Sequence, residues 1–369
     1  MDISDFPKPH IPPKLPISDI MMSIMQDPIL MKKAFDAVTQ LSGFIGYLQN
    51  LPNPSILISS LTLQESVLSS KIEGTIATIS DVVNDSPESE TIKNDIVEIN
   101  NYVNAINYGS QDLKDREFRF SSHFIRSLHM ILMENNVRGA NKTPGKFKTE
   151  QNYISNSYIG NFTPLPPYLT DEYIENLVNY MNDCNEISPI FQAGIVHAQF
   201  EMIHPFQDGN GRIGRLLIPL LLYAKQFLTF PTFFISRYFE AHDNDYKKCL
   251  SDISRATEND DLITPWKNWF IFLCEGITEQ GKSHISTAKK IINLSDEIRM
   301  SIKRTDQMEI IDYLFENLYL EPAEFKKNST LPDSTIYNVL KTLSEEGFIK
   351  RTGSARKTRY VFSKLVDML

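Results

Sequence analysis

The chain has 369 residues, enough for two or three domains that each bury a core of their own. With 41% hydrophobic and 22% charged residues it has the composition of a soluble globular protein, and a net charge of −9 excludes a surface basic throughout, so any nucleic-acid contact must be local. The three cysteines (Cys184, Cys249 and Cys274) are far apart with no C-x-x-C, which points to reduced thiols and excludes a zinc knuckle.

The opening MDISDFPKPHIPPKLP carries an early acid and many prolines but no apolar centre, so it reads as an extended arm and not as a secretion signal. The longest apolar run, Leu216 to Ala224, is too short to span a bilayer; the chain is expected to be soluble and cytoplasmic, with no membrane partner. From Ile17 to about Leu113 the pattern is helical. Helices are predicted over 28–48, 60–72 and 92–106, the last from the spacing of Ile92, Ile96, Ile99 and Val103. Residues 84–91 and 112–117 read as polar and charged loops. Ser121 or Ser122 caps a helix that reaches Asn135.

Residues 137–170 are rich in Gly, Pro and Asn with short aromatic and β-branched pieces, and read as loops and a β-hairpin. Helices resume at Asp171, with Thr170 as the cap, and again over 189–203, where Phe191, Ile195, Ala198 and Met202 share one face. The last segment reads helix, turn, helix, then two short strands around Gly353-Ser354, with Ser334 capping the second helix and Gly347 ending it. That is a winged-helix pattern. Three units are expected: a helical region over 1–113, a core over 114–301, and a winged helix over 302–369.

The densest chemistry lies in HPFQDGNGRIGR, residues 204–215. Its G-N-G-R-I-G formally matches the dinucleotide fingerprint, but that fingerprint follows a strand within a βαβ unit, and the residues before Gly209 have helical periodicity. The dinucleotide reading is rejected. The physics of the glycines remains: a Gly-x-Gly turn feeding a helix from Arg212 to Leu222 exposes backbone N–H groups at the positive end of the dipole, an anion cradle. Arg212 and Arg215 project from one face of the first turn, which suits a polyphosphate. Asp208 beside bound phosphates suits Mg²⁺, and His204 can take a proton from an incoming hydroxyl. A lone histidine at a helix end is more often structural. Here chemistry-capable types fill six of twelve positions, and together they describe nucleotidyl or phosphoryl transfer.

The stretch resembles the signature of Fic-domain proteins, H-P-F-x-[D/E]-G-N-G-R-x-x-R, and matches it at every fixed position. AGIVHAQFEMIHPF is similar to the helix leading into the Fic loop. PGKFKTEQNYI and FTPLPP are similar to the segments before and within the β-hairpin flap that aligns the target chain. ISRYFEAHDNDYKKCL resembles the helix bordering the adenine pocket, and the likeness spans about residues 55 to 280. It implies a mainly α Fic fold with a β-hairpin flap, and transfer of AMP from ATP to a hydroxyl of a target protein or of the enzyme itself. By the resemblance, His204 deprotonates the hydroxyl and Asp208 holds Mg²⁺. Gly209, Asn210 and Gly211 form the anion cradle, Arg212 meets the β-phosphate and Arg215 the γ-phosphate. Tyr246 stands at the adenine contact, although many relatives carry two adjacent aromatics where this chain has Tyr246-Lys247. Phe162, Thr163, Pro164 and Leu165 form the flap edge for a Ser-, Thr- or Tyr-bearing target. Phe206 is read as a buried structural ring, and His197 as a packing or hydrogen-bonding residue.

A second motif, SSKIEG at 69–74, puts Glu73 at the negative end of a helix that Gly74 terminates. An anion there is unfavourable by roughly 0.3–1 kcal/mol unless a cation faces it. Upstream of a Fic motif, [S/T]-x-x-x-E-[G/N] resembles the family's self-inhibitory helix. The resemblance implies that Ser69 supplies the motif's hydroxyl and that Glu73 pairs with Arg215 and blocks the γ-phosphate. Two other functions stay open: removal of AMP by the same site, and a DNA-binding regulator with the Fic core as sensor. For the second, Lys350, Arg351, Arg356, Lys357 and Arg359 would meet phosphates around the wing. A homo-oligomer is compatible with either.

Overall fold

The computed structural model describes residues 6–369 apart from 52, 85–88, 136, 138–142, 157, 185–186, 257–260, 302–306 and 354–357. Its first helices are α1 (Ser18–Ile24), α2 (Pro28–Gln49), α3 (Ser55–Ile72), α4 (Ile79–Asn84), α5 (Glu90–Asp115) and α6 (Ser122–Leu132). Asp27 caps α2 through the Ile29 and Leu30 N–H groups with Pro28 at the first position, and Ser121 caps α6 through Phe124. α3 begins earlier than predicted, where the Asn53 side chain meets the Ser55 N–H at 3.2 Å. α5 runs on into the stretch predicted to be a charged loop and ends at Asp115, because Leu113 is fully buried and keeps that turn on the core, while residues 116–117 form a turn. The cut expected at 113/114 therefore falls inside a helix, and the middle of the 84–91 loop and the cut at Ile302 lie outside the described residues.

A two-stranded hairpin follows, β1 (Ile154–Asn156) antiparallel to β2 (Gly160–Phe162) with Ser155 opposite Asn161. Then come α7 (Thr170–Asp183), α8 (Pro189–Ile203), α9 (Asn210–Ala224), α10 (Ser236–Ala241), α11 (Asp243–Arg255) and the long α12 (Ile263–Ser301), which lies along α2. Thr170 does not cap α7: it is the first helical residue, and its buried hydroxyl has no partner among the described residues. α8 is buried on every side and packs against α9, so these two helices form the centre of the core. The N-terminal arm crosses the hairpin: His10 N–H donates to the Thr163 carbonyl at 2.9 Å, and the Thr163 hydroxyl to the Pro7 carbonyl at 2.7 Å.

The chain ends in α13 (Met308–Asn317), β3 (Tyr319–Leu320), α14 (Pro322–Asn328), α15 (Asp333–Glu345), β4 (Lys350–Thr352), β5 (Arg359–Val361) and α16 (Ser363–Val366), with sheet order β3-β5-β4. Ser334 sits inside α15 and not at its cap, which is Pro332, while Gly347 ends the helix with φ 78°. Arg359 is not available to a phosphate: it lies 3.9 Å over the Tyr319 ring, pairs with Glu321 and donates to the Val83 carbonyl. Ser354, Arg356 and Lys357 lie outside the described residues. Among the described residues no helix is long and apolar enough to cross a membrane, and the three cysteines form no disulfide.

Candidate active site

The turn between α8 and α9 carries the motif. α8 ends on His204, whose backbone is left-handed (φ 48°, ψ 61°), and α9 starts after Gly209 (φ 76°). A side chain on Gly209 would be strained there, while without one the N–H groups of the first α9 turn stay open at the positive end of the dipole. Asn210 locks the turn by accepting from the Phe206 N–H and donating to the Phe206 carbonyl. Phe206 is fully buried and stacks face to face on His129 at 3.7 Å, as a structural ring should.

His129 was not singled out in the sequence. It receives the Gly145 N–H on Nδ1 at 2.9 Å, so the proton sits on Nε2 and is donated to the Asp208 carbonyl at 3.0 Å. Burial holds its pKa near 4, so the ring stays neutral and acts as a fixed strut behind Asp208. The Asp208 side chain accepts the Gly209 N–H at 2.7 Å.

The two motif arginines do not share a face. Arg215 turns to α3, with Nε donating to the Ser69 hydroxyl and Nη2 to the Ser69 carbonyl and to Glu73 Oε1, each at 2.8 Å. Arg212 turns to α5, where Nη1 meets Glu98 Oε2 at 2.9 Å with both side chains almost fully buried. Glu98 lies off the Ile92–Ile96–Ile99 stripe, so periodicity places it in solvent; only the unmet need of a buried guanidinium could have pointed to it.

Glu73 is the C-cap of α3, followed by Gly74 at φ 95°. Its Oε1 comes within 2.2 Å of the point where a Cβ on Gly211 would sit, so only glycine admits the carboxylate at the cradle. Burial alone would raise its pKa, but the charge and hydrogen bond of Arg215 hold it below the usual carboxylate value. The α3 helix is anchored two turns earlier by Glu65, which accepts from Tyr102 at 3.0 Å and from the Ser236 hydroxyl, and which burial raises to about 7.

A cleft of about 240 Å³ opens over this turn, lined by Glu73, His204, Gly211, Arg215, Tyr246 and the flap residue Phe162. His204 is brought down to about 4 by burial and by the nearby charge of Lys148, so it is neutral and ready to accept a proton at neutral pH. Glu201, one turn before it, is raised to about 8 by burial and stays protonated. His197 is buried, with Nε2 2.9 Å from the Tyr246 hydroxyl, while Tyr246 stacks on Phe239. Of the four flap residues only Phe162 reaches the cleft. Thr163, Pro164 and Leu165 are buried, the first under the arm and the last with its N–H on the Met202 carbonyl.

A neutral histidine, an amide-rich turn with an arginine beside it, and a carboxylate lodged in that turn define an anion-binding site built for group transfer, on a helical core with a hairpin over its mouth. A family model described as Fic/DOC family N-terminal matches residues 31–111, and one described as Fic/DOC family matches residues 119–222. The chain belongs to the Fic/DOC family.

It is 29% identical over 163 residues to a probable protein adenylyltransferase of Aquifex aeolicus, covering 44% of this chain and 48% of that protein. To protein adenylyltransferase fic-1 of Caenorhabditis elegans it is 38% identical over 85 residues, covering 22% of this chain and 16% of that one. The chain thus spans half or less of the length of these curated relatives. Among solved structures, a Fic domain containing signaling protein from Bacteroides thetaiotaomicron aligns with TM-score 0.53 and 25% identity, over 68% of this chain and 97% of that one. A Fic family protein from Desulfovibrio desulfuricans aligns with TM-score 0.57 and 20% identity over 91% and 96%, which shows the shared fold.

Proposed function

We propose that this protein is a protein adenylyltransferase held inactive by its own Glu73. The observation that carries the reading is the Glu73 carboxylate on the first turn of α9: it fills, with an anion, the place where Gly209–Gly211 and Arg215 would receive a phosphate. When α3 gives up that contact, the cradle takes the phosphates of ATP, Arg215 meets the terminal phosphate, and Arg212 keeps its buried Nε, without a partner among the described residues, for the one before it. His204 takes the proton of the target hydroxyl, whose oxygen attacks the α-phosphorus. The bond from that phosphorus to the bridging oxygen breaks, and pyrophosphate leaves. Asp208 stands at the start of the turn with its carboxylate on the Gly209 N–H, and one carboxylate with phosphate oxygens is a donor set that suits Mg²⁺. When bound, the metal would neutralise charge on the phosphates.

Phe162 is the flap residue placed to guide a target chain, and Tyr246 closes the far wall of the cleft. We read the C-terminal elements as a winged helix, and a cytoplasmic location follows from the reduced-thiol reading. DNA binding through the wing is not favoured, since Arg359 serves the fold.

The test uses purified protein, Mg²⁺ and ATP labelled at the α- or γ-phosphate, with Glu73→Gly and His204→Ala alongside wild type and cell lysate as the source of target. Protein label from the α position alone, lost in His204→Ala, is expected. Label from the γ position would overturn the reading, and release of AMP from pre-modified protein without forward transfer would assign the reverse reaction.

A further inference from the structure

Five consecutive carbonyls, from Met202 to Phe206, carry the chain out of α8 and through His204. All five are taken by the stretch that precedes and enters the flap. The Met202 carbonyl accepts the Leu165 N–H at 3.2 Å, and that of Pro205 the Lys148 N–H at 2.8 Å. The Ile203 carbonyl accepts Lys148 Nζ at 3.0 Å. Asn152 Nδ2 reaches both the His204 carbonyl at 3.0 Å and the Phe206 carbonyl at 2.9 Å. Lys148 Nζ donates in addition to Asn152 Oδ1 at 2.9 Å, which joins the two side chains into one brace.

Two features say that the brace does more than fill space. A non-glycine residue in the left-handed region costs about 1–2 kcal/mol and persists only where its surroundings over-determine it. His204 is such a residue, and the carbonyls on either side of its φ and ψ are the ones held. Lys148 is 3% exposed, and its ammonium group is met by two neutral oxygens and by the negative end of the α8 dipole, not by a carboxylate. A buried lysine on neutral acceptors is an expensive way to build a loop.

We propose that Lys148 and Asn152 are positioning residues for His204. By pinning the four carbonyls from Ile203 to Phe206 they hold the imidazole over the cleft, and they tie its placement to the flap that presents the target. The role rests on the adenylyltransferase reading; the brace itself does not.

The experiment compares Glu73→Gly with the same protein carrying Lys148→Met, which keeps the volume and removes both side-chain donations, or Asn152→Ser, which cannot reach the two carbonyls. Displacing a reacting group by about 1 Å costs on the order of 100-fold. The expected result is therefore a fall in kcat of about that size with KM for ATP within about twofold, because the nucleotide cradle is on α9. Hydrogen exchange at the His204 and Phe206 amides should quicken while the α9 amides stay protected. An unchanged kcat, or parallel losses in kcat, KM and melting temperature in both variants, would overturn the proposal. If the Glu73→Gly parent transfers no AMP, the adenylyltransferase reading has failed. The exchange data then decide alone: quickening confined to 203–207 sustains the brace, and unchanged exchange refutes it.

Discussion

The chain contains two arginine–glutamate pairs three residues apart on one helix, with opposite characters. Arg212 and Glu98 meet at 2.9 Å with side-chain exposures of 1% and 2%, while Arg215 and Glu73 meet at 2.8 Å with exposures of 1% and 36%. The guanidiniums are equally buried, and the difference lies wholly in the carboxylates. Glu98 comes from within the long α5 and cannot leave without stranding a charge. Glu73 is the C-cap of α3, beside a glycine, and its side chain is partly exposed to water. The first pair is a fixture, and in the function proposed above the second is a latch. Both arginines come from the same helix, and the exposure of the opposing acid is what separates the two pairs.

The comparison can be broken at its fixed end. Glu98→Ala should leave Arg212 buried and unpaired and destabilise the fold by about 3–5 kcal/mol, visible as a large drop in melting temperature. A drop as small as that of an exposed ion pair, under about 1 kcal/mol, would mean that Arg212 finds another partner. Next in size, Arg215→Ala in the Glu73→Gly background should lower AMP transfer by about 100- to 1,000-fold, the usual loss when one charge-stabilising donor is removed, with a raised KM for ATP. Transfer retained at the parent level would show that the latch arginine serves only the brake.

The pH profile sharpens the same picture from the side of the base. His204 is held near 4, so the proton-accepting form persists well below the ordinary imidazole range. In Glu73→Gly the activity at pH 5.5 should stay within about twofold of that at pH 7.5, where an unperturbed histidine of pKa about 6.5 would lose roughly tenfold. Glu73 itself raises the His204 pKa, so removing it cannot bring the acid limb up.

What was legible in the sequence divides along the same line. The span of α8 was read to the residue, because Pro189 opens it and the HPF turn closes it. The helix end at Glu73-Gly74 was legible from the residues, and the pairing of Glu73 with Arg215 from the resemblance of SSKIEG to the family's inhibitory motif. Glu98 was not, since its partner is far away in sequence and an acid off the apolar stripe looks solvated. His129 and the Lys148–Asn152 brace escaped for a related reason: each acts on backbone carbonyls, and a carbonyl's need for a donor leaves no mark in residue type. The caps expected at Thr170 and Ser334 failed because each residue starts or enters its helix, with Leu169 and Pro332 standing outside. The first residues were read as an extended arm, but nothing in their composition said that the arm lies on the flap at Thr163.

The most direct test of the latch is the Glu73→Gly exchange, read for both AMP transfer and melting temperature against wild type. Transfer should rise about 10- to 100-fold, equivalent to 1.4–2.7 kcal/mol of inhibitory bias, with stability shifted by less than about 1 kcal/mol, as for a partly exposed pair. No rise in transfer, or a collapse in stability like that expected for Glu98→Ala, would contradict the account and make Glu73 a second fixture.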